Sequence, residues 1–351
     1  MTNSGLAIMN TKILLASMVA VGIVSAEEAP SVRTYTVQDV AGYNSWSFVE
    51  TVGDLLVCAY SRGKEHSIDE RCRGVYARSS SDGGRTWSAE VEVVNTPDYG
   101  ESAIGKGKDA DGAMLLWVRC RGKNPCHALY RSRDGKEFTR IALLTPDPMP
   151  MQITDVFHVP GVGLMCLWFA GRYRDLPENS WGTLTSADNG ATWTQHTIES
   201  GLMRNDWPTE PSCVYLGNGR ILVISRSEPP LHCQFQLQST DNGKTWRKMK
   251  TNITDVSQST PSLVLSKDGR TLRNYYYHRG KGELKCRTVN PETIWDNPMK
   301  WPEPSLIAKG SPNSHHAGNV NAVRLKDADC CTIYSGDEHQ TDILCLMIPD
   351  K

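Results

Sequence analysis

The chain has no segment long enough to cross a bilayer as a helix, which takes roughly 20 consecutive apolar residues. Its one sustained apolar run, Ile13 to Val24, falls short of that length. It also lacks a dominant charge. Against 38 Lys and Arg stand 39 Asp and Glu, a formal net charge of −1, and there is no basic tail or Lys/Arg run. Global attraction to nucleic acid is therefore excluded, and a polyanion would have to be recognised locally. Helical periodicity is nearly absent, which excludes a helical architecture. No Cys-x-x-Cys or His-x-x-x-His spacing occurs, so neither a structural metal nor a cofactor is predicted. Phenylalanine is scarce, at five residues beside ten Trp and twelve Tyr. Rings that carry a polar atom therefore dominate, as they do in sugar-binding sites.

The N-terminal residues point to a compartment. Lys12 precedes the apolar run, Val24-Ser25-Ala26 supplies small residues, and the acidic Glu27-Glu28 follows. This pattern predicts a secretory signal peptide over residues 1–26, with Met9 a plausible start and an uncleaved anchor the competing reading. The mature chain is expected to be secreted or periplasmic. Of eleven cysteines, Cys58, Cys166, Cys213 and Cys345 lie inside apolar strand-like runs and read as small buried hydrophobes. Cys120 and Cys126 flank a turn and are placed to pair. An odd total leaves at least one thiol unpaired or intermolecular.

The strongest feature is an internal repeat. Ser80-Ser81-Asp82-Gly83-Gly84-Arg85-Thr86-Trp87 recurs as Ser186-Ala187-Asp188-Asn189-Gly190-Ala191-Thr192-Trp193 and as Ser239-Thr240-Asp241-Asn242-Gly243-Lys244-Thr245-Trp246. A shorter copy, Ser132-Arg133-Asp134-Gly135-Lys136-Glu137-Phe138, uses Phe for Trp. Asp82, Asp134, Asp188 and Asp241 recur at intervals of 52, 54 and 53 residues. Each copy is a turn, in which the Asp carboxylate accepts backbone N–H bonds and the Gly-Gly or Asn-Gly pair supplies positive φ. These aspartates read as fold markers rather than catalysts. A period near 53 fits one four-stranded blade per repeat. An all-β, six-bladed propeller over residues 32–349 is therefore expected, with an eroded fifth turn near Thr293-Ile294-Trp295. A sixth unit runs from about Asn313 to Pro349, and the strand around Tyr35–Val40 completes it. Gly53-Asp54, Gly217-Asn218-Gly219 and Lys267-Asp268-Gly269 punctuate the blades as hairpins.

From about Gly42 to Ile348 these turns resemble the Asp boxes of the sialidase family. That family carries a glutamate followed about fifteen residues later by an arginine, and Glu210 in Trp207-Pro208-Thr209-Glu210-Pro211-Ser212 precedes Arg226 in the same way. The resemblance further implies Arg279 as a second substrate arginine, Arg62 as an active-site arginine, and Asp69 as the acid/base. Two departures stand out. Tyr43-Asn44-Ser45 replaces the family's Arg-Ile-Pro, and Ser314-His315-His316-Ala317-Gly318 replaces the stretch bearing the catalytic tyrosine. In lacking both, the chain is similar to phage endosialidases.

The chemistry makes sense of these residue types. Arginines hold a sugar carboxylate through charge-assisted, often bidentate bonds. The predicted catalytic residues are Asp69, Glu210 and His316, the last in place of the tyrosine. The predicted binding residues are Arg62, Arg226, Arg279, His66 beside Asp69, and Trp207 as a stacking ring. Each has a bland rival: a surface ion pair for the arginines, a solvated loop for Asp69 and His66, and inter-blade packing for Trp207. Three functions are compatible: a hydrolase for sialic acid or a related acidic sugar, a lyase or hydrolase for another uronate-containing polysaccharide, and a carbohydrate-binding propeller without catalysis. In each the expected partner is an acidic glycan.

Overall fold

A computed structural model describes Met1 and residues 31–67, 71–173, 178–256, 258–310 and 316–350. The predicted signal segment beyond Met1, Asp69 and His315 lie outside the described residues. Short apolar runs closed by Gly, Asn and Asp turns make strands here and almost nothing else. The chain begins with β1 (Arg33–Gln38), β2 (Tyr43–Val52), β3 (Leu55–Gly63), β4 (Gly74–Ser80) and β5 (Val91–Val94). A second sheet holds β6 (Gly100–Lys108), β7 (Met114–Arg121), β8 (Cys126–Ser132) and β9 (Thr139–Leu144). A third holds β10 (Gln152–Ile153), β11 (Phe157–Val159), β12 (Gly163–Ala170), β13 (Ser180–Ser186) and β14 (Thr194–Glu199). The fourth comprises β15 (Thr209–Gly217), β16 (Arg220–Arg226), β17 (Phe235–Ser239) and β18 (Arg247–Lys250). The fifth comprises β19 (Ser262–Leu265), β20 (Leu272–His278), β21 (Glu283–Val289) and β22 (Ser305–Lys309). The last strands are β23 (Ala317–Arg324), β24 (Ala328–Gly336) and β25 (Thr341–Pro349).

This is an all-β propeller, but not one of six separate blades. Four blades are independent sheets, and the remaining eight strands form one continuous sheet, in the order β23-β24-β25-β2-β3-β4-β5 with β1 on β25. The physical cause of the join lies at Tyr43, which pairs in parallel with Thr341. The Asn44 amide donates to the Thr341 carbonyl at 2.8 Å and the Thr341 hydroxyl donates to the Asn44 carbonyl, so buried polar groups stitch first and last strands together. The expected N-terminal strand does pair antiparallel with β25, from Arg33–Met347 to Gln38–Ile343. Apolar clusters fill the gaps between consecutive sheets, as where Val57 and Ala77 meet Leu116 and Ala128, and another joins the two halves of the continuous sheet through Val49, Leu56, Tyr60, Tyr334 and Ile343. The middle strands are buried on both faces, as in Gly163–Ala170, while outer strands such as Arg247–Lys250 face solvent.

The four Asp boxes connect the third and fourth strands of their blades. In the first, Arg85 N and Thr86 N donate to Asp82 Oδ1 at 3.0 Å, and Thr86 Oγ1 donates to Oδ2 at 2.6 Å. Gly84 N donates to Ser80 Oγ and the Trp87 indole to the Gly84 carbonyl. The same bonds recur around Asp241, the two threonine bonds recur around Asp188, and a reduced set is made around Asp134. In the fifth sheet the expected eroded turn is instead a short helix, α1 (Pro291–Trp295), capped by Asn290. Cys58, Cys166, Cys213 and Cys345 are buried, and Cys120 lies directly opposite Cys126 on β7 and β8, both as free thiols.

Candidate functional site: the axial cavity

The strands β2, β6, β10, β15 and β23, with the segment that precedes β19, converge on a cavity of about 520 Å³. A shared backbone device aims residues into it. On β2, β15 and β23 the pairing register skips around Trp46, Glu210 and Asn319, and these three residues have φ of 49°, 47° and 48°. Gln258, just before β19, has φ 41° and also lines the cavity. Bulges of this kind re-aim side chains. A left-handed conformation in a non-glycine residue costs roughly 1–3 kcal/mol each, and four of them around one space make this cavity the candidate site. Pro211, which has no N–H to offer the ladder, sits within the β15 bulge where none is needed.

Four guanidinium groups (Arg119, Arg204, Arg226 and Arg279) and two carboxylates (Glu210 and Glu228) line the cavity, a formal excess of two positive charges. Such a space favours an anion. Arg226 is at its centre. Its Nη1 donates to Glu210 Oε1 at 2.9 Å, and its Nε and Nη2 lie 2.9 and 3.1 Å from the two oxygens of Glu228. Every nitrogen of Arg226 thus meets a carboxylate, and the second hydrogens of Nη1 and Nη2 remain for a ligand. Burial disfavours its charge, but the two glutamates more than offset this and push its pKa up.

Glu210 accepts from Thr260 Oγ1 at 2.7 Å and from the Tyr173 hydroxyl at 3.3 Å. Burial alone would raise its pKa; Arg226, Thr260 and Arg279 outweigh that and hold it below the usual carboxylate range. Glu228 moves the other way, pushed up by burial and by the charge of Glu210 against the pull of Arg226. Burial and Glu210 also raise the Tyr173 phenol, so it is neutral in the resting site. Arg279 is fixed by the Ala317 carbonyl at 2.9 Å, Asn319 Oδ1 at 2.7 Å and the Tyr334 hydroxyl at 3.3 Å.

The structure thus brings together Glu210, Arg226, Arg279 and His66 as cavity residues. Two other predicted residues are corrected. Arg62 does not reach the cavity: it makes a bidentate pair with Glu90 at 2.7 and 2.8 Å and lies over the Tyr76 ring. Trp207 is fully buried among Phe169, Trp181 and Val223, with its indole donating to the Ser180 carbonyl, so it cannot stack on a sugar. Its ring instead supports Tyr173, centroid to centroid at 5.8 Å. His316 is not among the cavity's lining residues. The Tyr43 hydroxyl lies 3.0 Å from both His316 Nδ1 and His66 Nδ1. The same hydroxyl also hydrogen-bonds Tyr334, so Tyr43 joins both histidines to the Tyr334–Arg279 pair.

Sequence reasoning missed Tyr173, Glu228, Arg119 and Arg204. The missing catalytic tyrosine was sought in the last strands, whereas the tyrosine against Glu210 follows β12. Nothing local in Gly171-Arg172-Tyr173-Arg174 signals it. Glu228, two residues beyond Arg226, was within reach of a charge-spacing argument. Among the described residues no group of three or more His, Cys, Asp or Glu is arranged to hold a metal ion.

Residues 173–311 match the BNR repeat-like domain family. A protein of unknown function from Dyadobacter fermentans DSM 18053 superposes with a TM-score of 0.75 at 16% identity, over 92% of this chain and 100% of that one. Trypanosoma rangeli sialidase in complex with the inhibitor DANA gives 0.64 at 12% identity, over 88% and 55%. The NanB sialidase from Streptococcus pneumoniae, in complex with 2-[(3-chlorobenzyl)ammonio]ethanesulfonate, gives 0.68 at 13%, over 90% and 70%. The chain therefore spans little more than half the length of the trypanosomal sialidase, and at these identities the likeness is one of fold. Residues 173–311 thus match a BNR repeat-like domain, and the chain shares its propeller fold with these sialidases.

Proposed function

We propose that the chain is an exported glycoside hydrolase of the sialidase type, secreted or periplasmic, acting on sialic acid or a related acidic sugar. The observation that carries this reading is the contact of Tyr173 with Glu210, beside Arg226, in a cavity with excess positive charge. An anionic nucleophile would be repelled by a sugar that bears its own carboxylate next to the reacting carbon, and a neutral phenol avoids that repulsion. As the glycosidic C–O bond breaks, a bond forms from Tyr173 Oη to the anomeric carbon and the phenol proton passes to Glu210. Arg226 keeps Glu210 ionised and ready to accept it. Arg279 and the free hydrogens of Arg226 bind the sugar carboxylate. Asp69 is proposed to protonate the leaving oxygen. Water then attacks the anomeric carbon and gives a proton to the Asp69 carboxylate, while the bond to Tyr173 Oη breaks and the proton returns from Glu210 to the phenol.

A second reading, a binding propeller without turnover, is favoured by the position of His316 outside the cavity lining. The test is release of free sugar, or of unsaturated product, from sialosides and uronate oligosaccharides. Glu210→Gln and Tyr173→Phe are each expected to lower kcat by about 100-fold or more while leaving ligand Kd nearly unchanged. Tight binding by the wild type with no product from any acidic glycan would establish the binding propeller instead.

A further inference from the structure

A second pocket, of about 720 Å³, opens beside the axial cavity. Arg119, Met151 and Tyr173 wall both spaces, and Arg119 Nη1 donates to the Met151 carbonyl at 2.7 Å across that shared wall. The two spaces are therefore immediate neighbours on either side of these three residues. The pocket is built from the ends of β7, β8 and β12 and from the loop that leads to β10.

Its charge is unbalanced. The guanidinium groups of Arg71, Arg119, Arg121 and Arg172 line it against the carboxylates of Asp147 and Glu178. Among the described residues the side chains of Arg71 and Arg172 make no hydrogen bond or ion pair, and both are exposed. The pocket also holds a buried acceptor. His127 is fully buried, and its Nε2 lies 3.0 Å from the Pro150 carbonyl. A carbonyl only accepts, so Nε2 carries the proton and Nδ1 is left as the acceptor. That Nδ1 has no partner. Burial also drives the imidazole pKa down to about 3, which keeps the ring neutral.

Two uncommitted guanidinium groups suit a carboxylate. A buried nitrogen acceptor with nothing to accept, beside two carboxylates that also accept, suits a donor hydroxyl. Together they describe a polyhydroxylated acid. We infer that the second pocket binds the neighbouring acidic sugar of the same chain, so that the protein engages at least two consecutive acidic residues of an oligosaccharide. This inference rests on the central-cavity reading above and adds the length of the ligand to it.

The experiment compares sialic acid and galacturonic acid with the corresponding linear trimers, by calorimetry on the full chain. The wild type is expected to bind one of the two trimers at least tenfold more tightly than its monomer, about the ratio that one charge-assisted hydrogen bond supplies. The double variant Arg71→Ala with Arg172→Ala should lose that advantage and keep the monomer affinity. Both arginines are exposed and outside the central cluster, so the variant retains its fold, and an unchanged Tm checks this. Monomer binding with no trimer advantage, or an advantage that survives the double variant, overturns the second pocket alone. Failure of both monomers and both trimers to bind the wild type overturns the central reading and this inference with it.

Discussion

Asp188 and Glu210 are both carboxylates held below their ordinary pKa, and they achieve it by opposite means. Asp188 is exposed on an outer turn. The Thr192 side chain, the Thr192 backbone N–H and the Ser186 hydroxyl bring it to about 2. All its partners lie within four residues. Glu210 is buried on the axis, where burial works against its charge and Arg226, Thr260 and Arg279 must overcome that. Its partners lie on the neighbouring strand or in loops of other blades, 16 to 50 residues away. The rim therefore spends hydrogen bonds on a local turn that every blade can repeat. The axis gathers charges from different blades into one arrangement that occurs once.

The sharpest way to break this comparison is at Arg226. Replacing it with Ala leaves Glu210 and Glu228 buried side by side without a counter-charge. Breaking a buried pair by removing one partner costs about 3–5 kcal/mol, because the charge left behind is uncompensated. Urea unfolding of Arg226→Ala should show a loss of that order, together with loss of acidic-sugar binding. A change below about 1 kcal/mol would show that the two glutamates are protonated or solvated, and that the axis is no more coupled than the rim.

A smaller effect sharpens the contrast through pH. The folded pKa of Glu210 lies below its unfolded value of about 4.3. Its contribution to stability is therefore fully present above that unfolded value and is lost as pH falls through the folded pKa. Glu210→Gln removes the contribution at every pH. The Glu210 part of the stability difference between wild type and variant should therefore shrink as pH is lowered below about 4, while at higher pH the variant also relieves the upward push of Glu210 on Glu228. The rim aspartates lose stability on acidification in the same direction, but they are present in both proteins and cancel. A difference that stays constant from pH 7 to pH 3 would mean that Glu210 gains nothing from its charge.

The same contrast explains what was legible in the sequence. Each Asp box closes bonds over two to four residues, so its spelling is its structure, and all four boxes were readable. Glu210 and Arg226 were readable because one hairpin separates them: Thr209 pairs with Arg226 across β15 and β16. Arg62 was misread because its outcome depends on Glu90, 28 residues on, which takes both of its terminal nitrogens. Tyr173 was invisible because its partner Glu210 lies 37 residues away in the next blade. The joined eight-stranded sheet depends on contacts such as Asn44 with Thr341, 297 residues apart, which no repeat period encodes. Local bonds leave a signature in the sequence; bonds across the ring leave residue types without their partners.

The smallest expected effect belongs to the rim itself. In Asp241→Ala the backbone N–H groups of Lys244 and Thr245 and the Thr245 hydroxyl lose their acceptor. All three can turn to water, since the turn lies on the surface and these bonds face solvent. Gly243 N still donates to Ser239 Oγ and the Trp246 indole still donates to the Gly243 carbonyl, so the turn keeps part of its frame. The expected change is a Tm drop of no more than about 5 °C in a chain of this size. Affinity for an acidic sugar and any turnover should be unchanged, because nothing in the box touches the cavity. Thermal unfolding and a binding isotherm on the same preparation check both halves. A loss of ligand affinity in Asp241→Ala, with Tm preserved, would show that the turns transmit to the axis and that rim and centre are one mechanical unit.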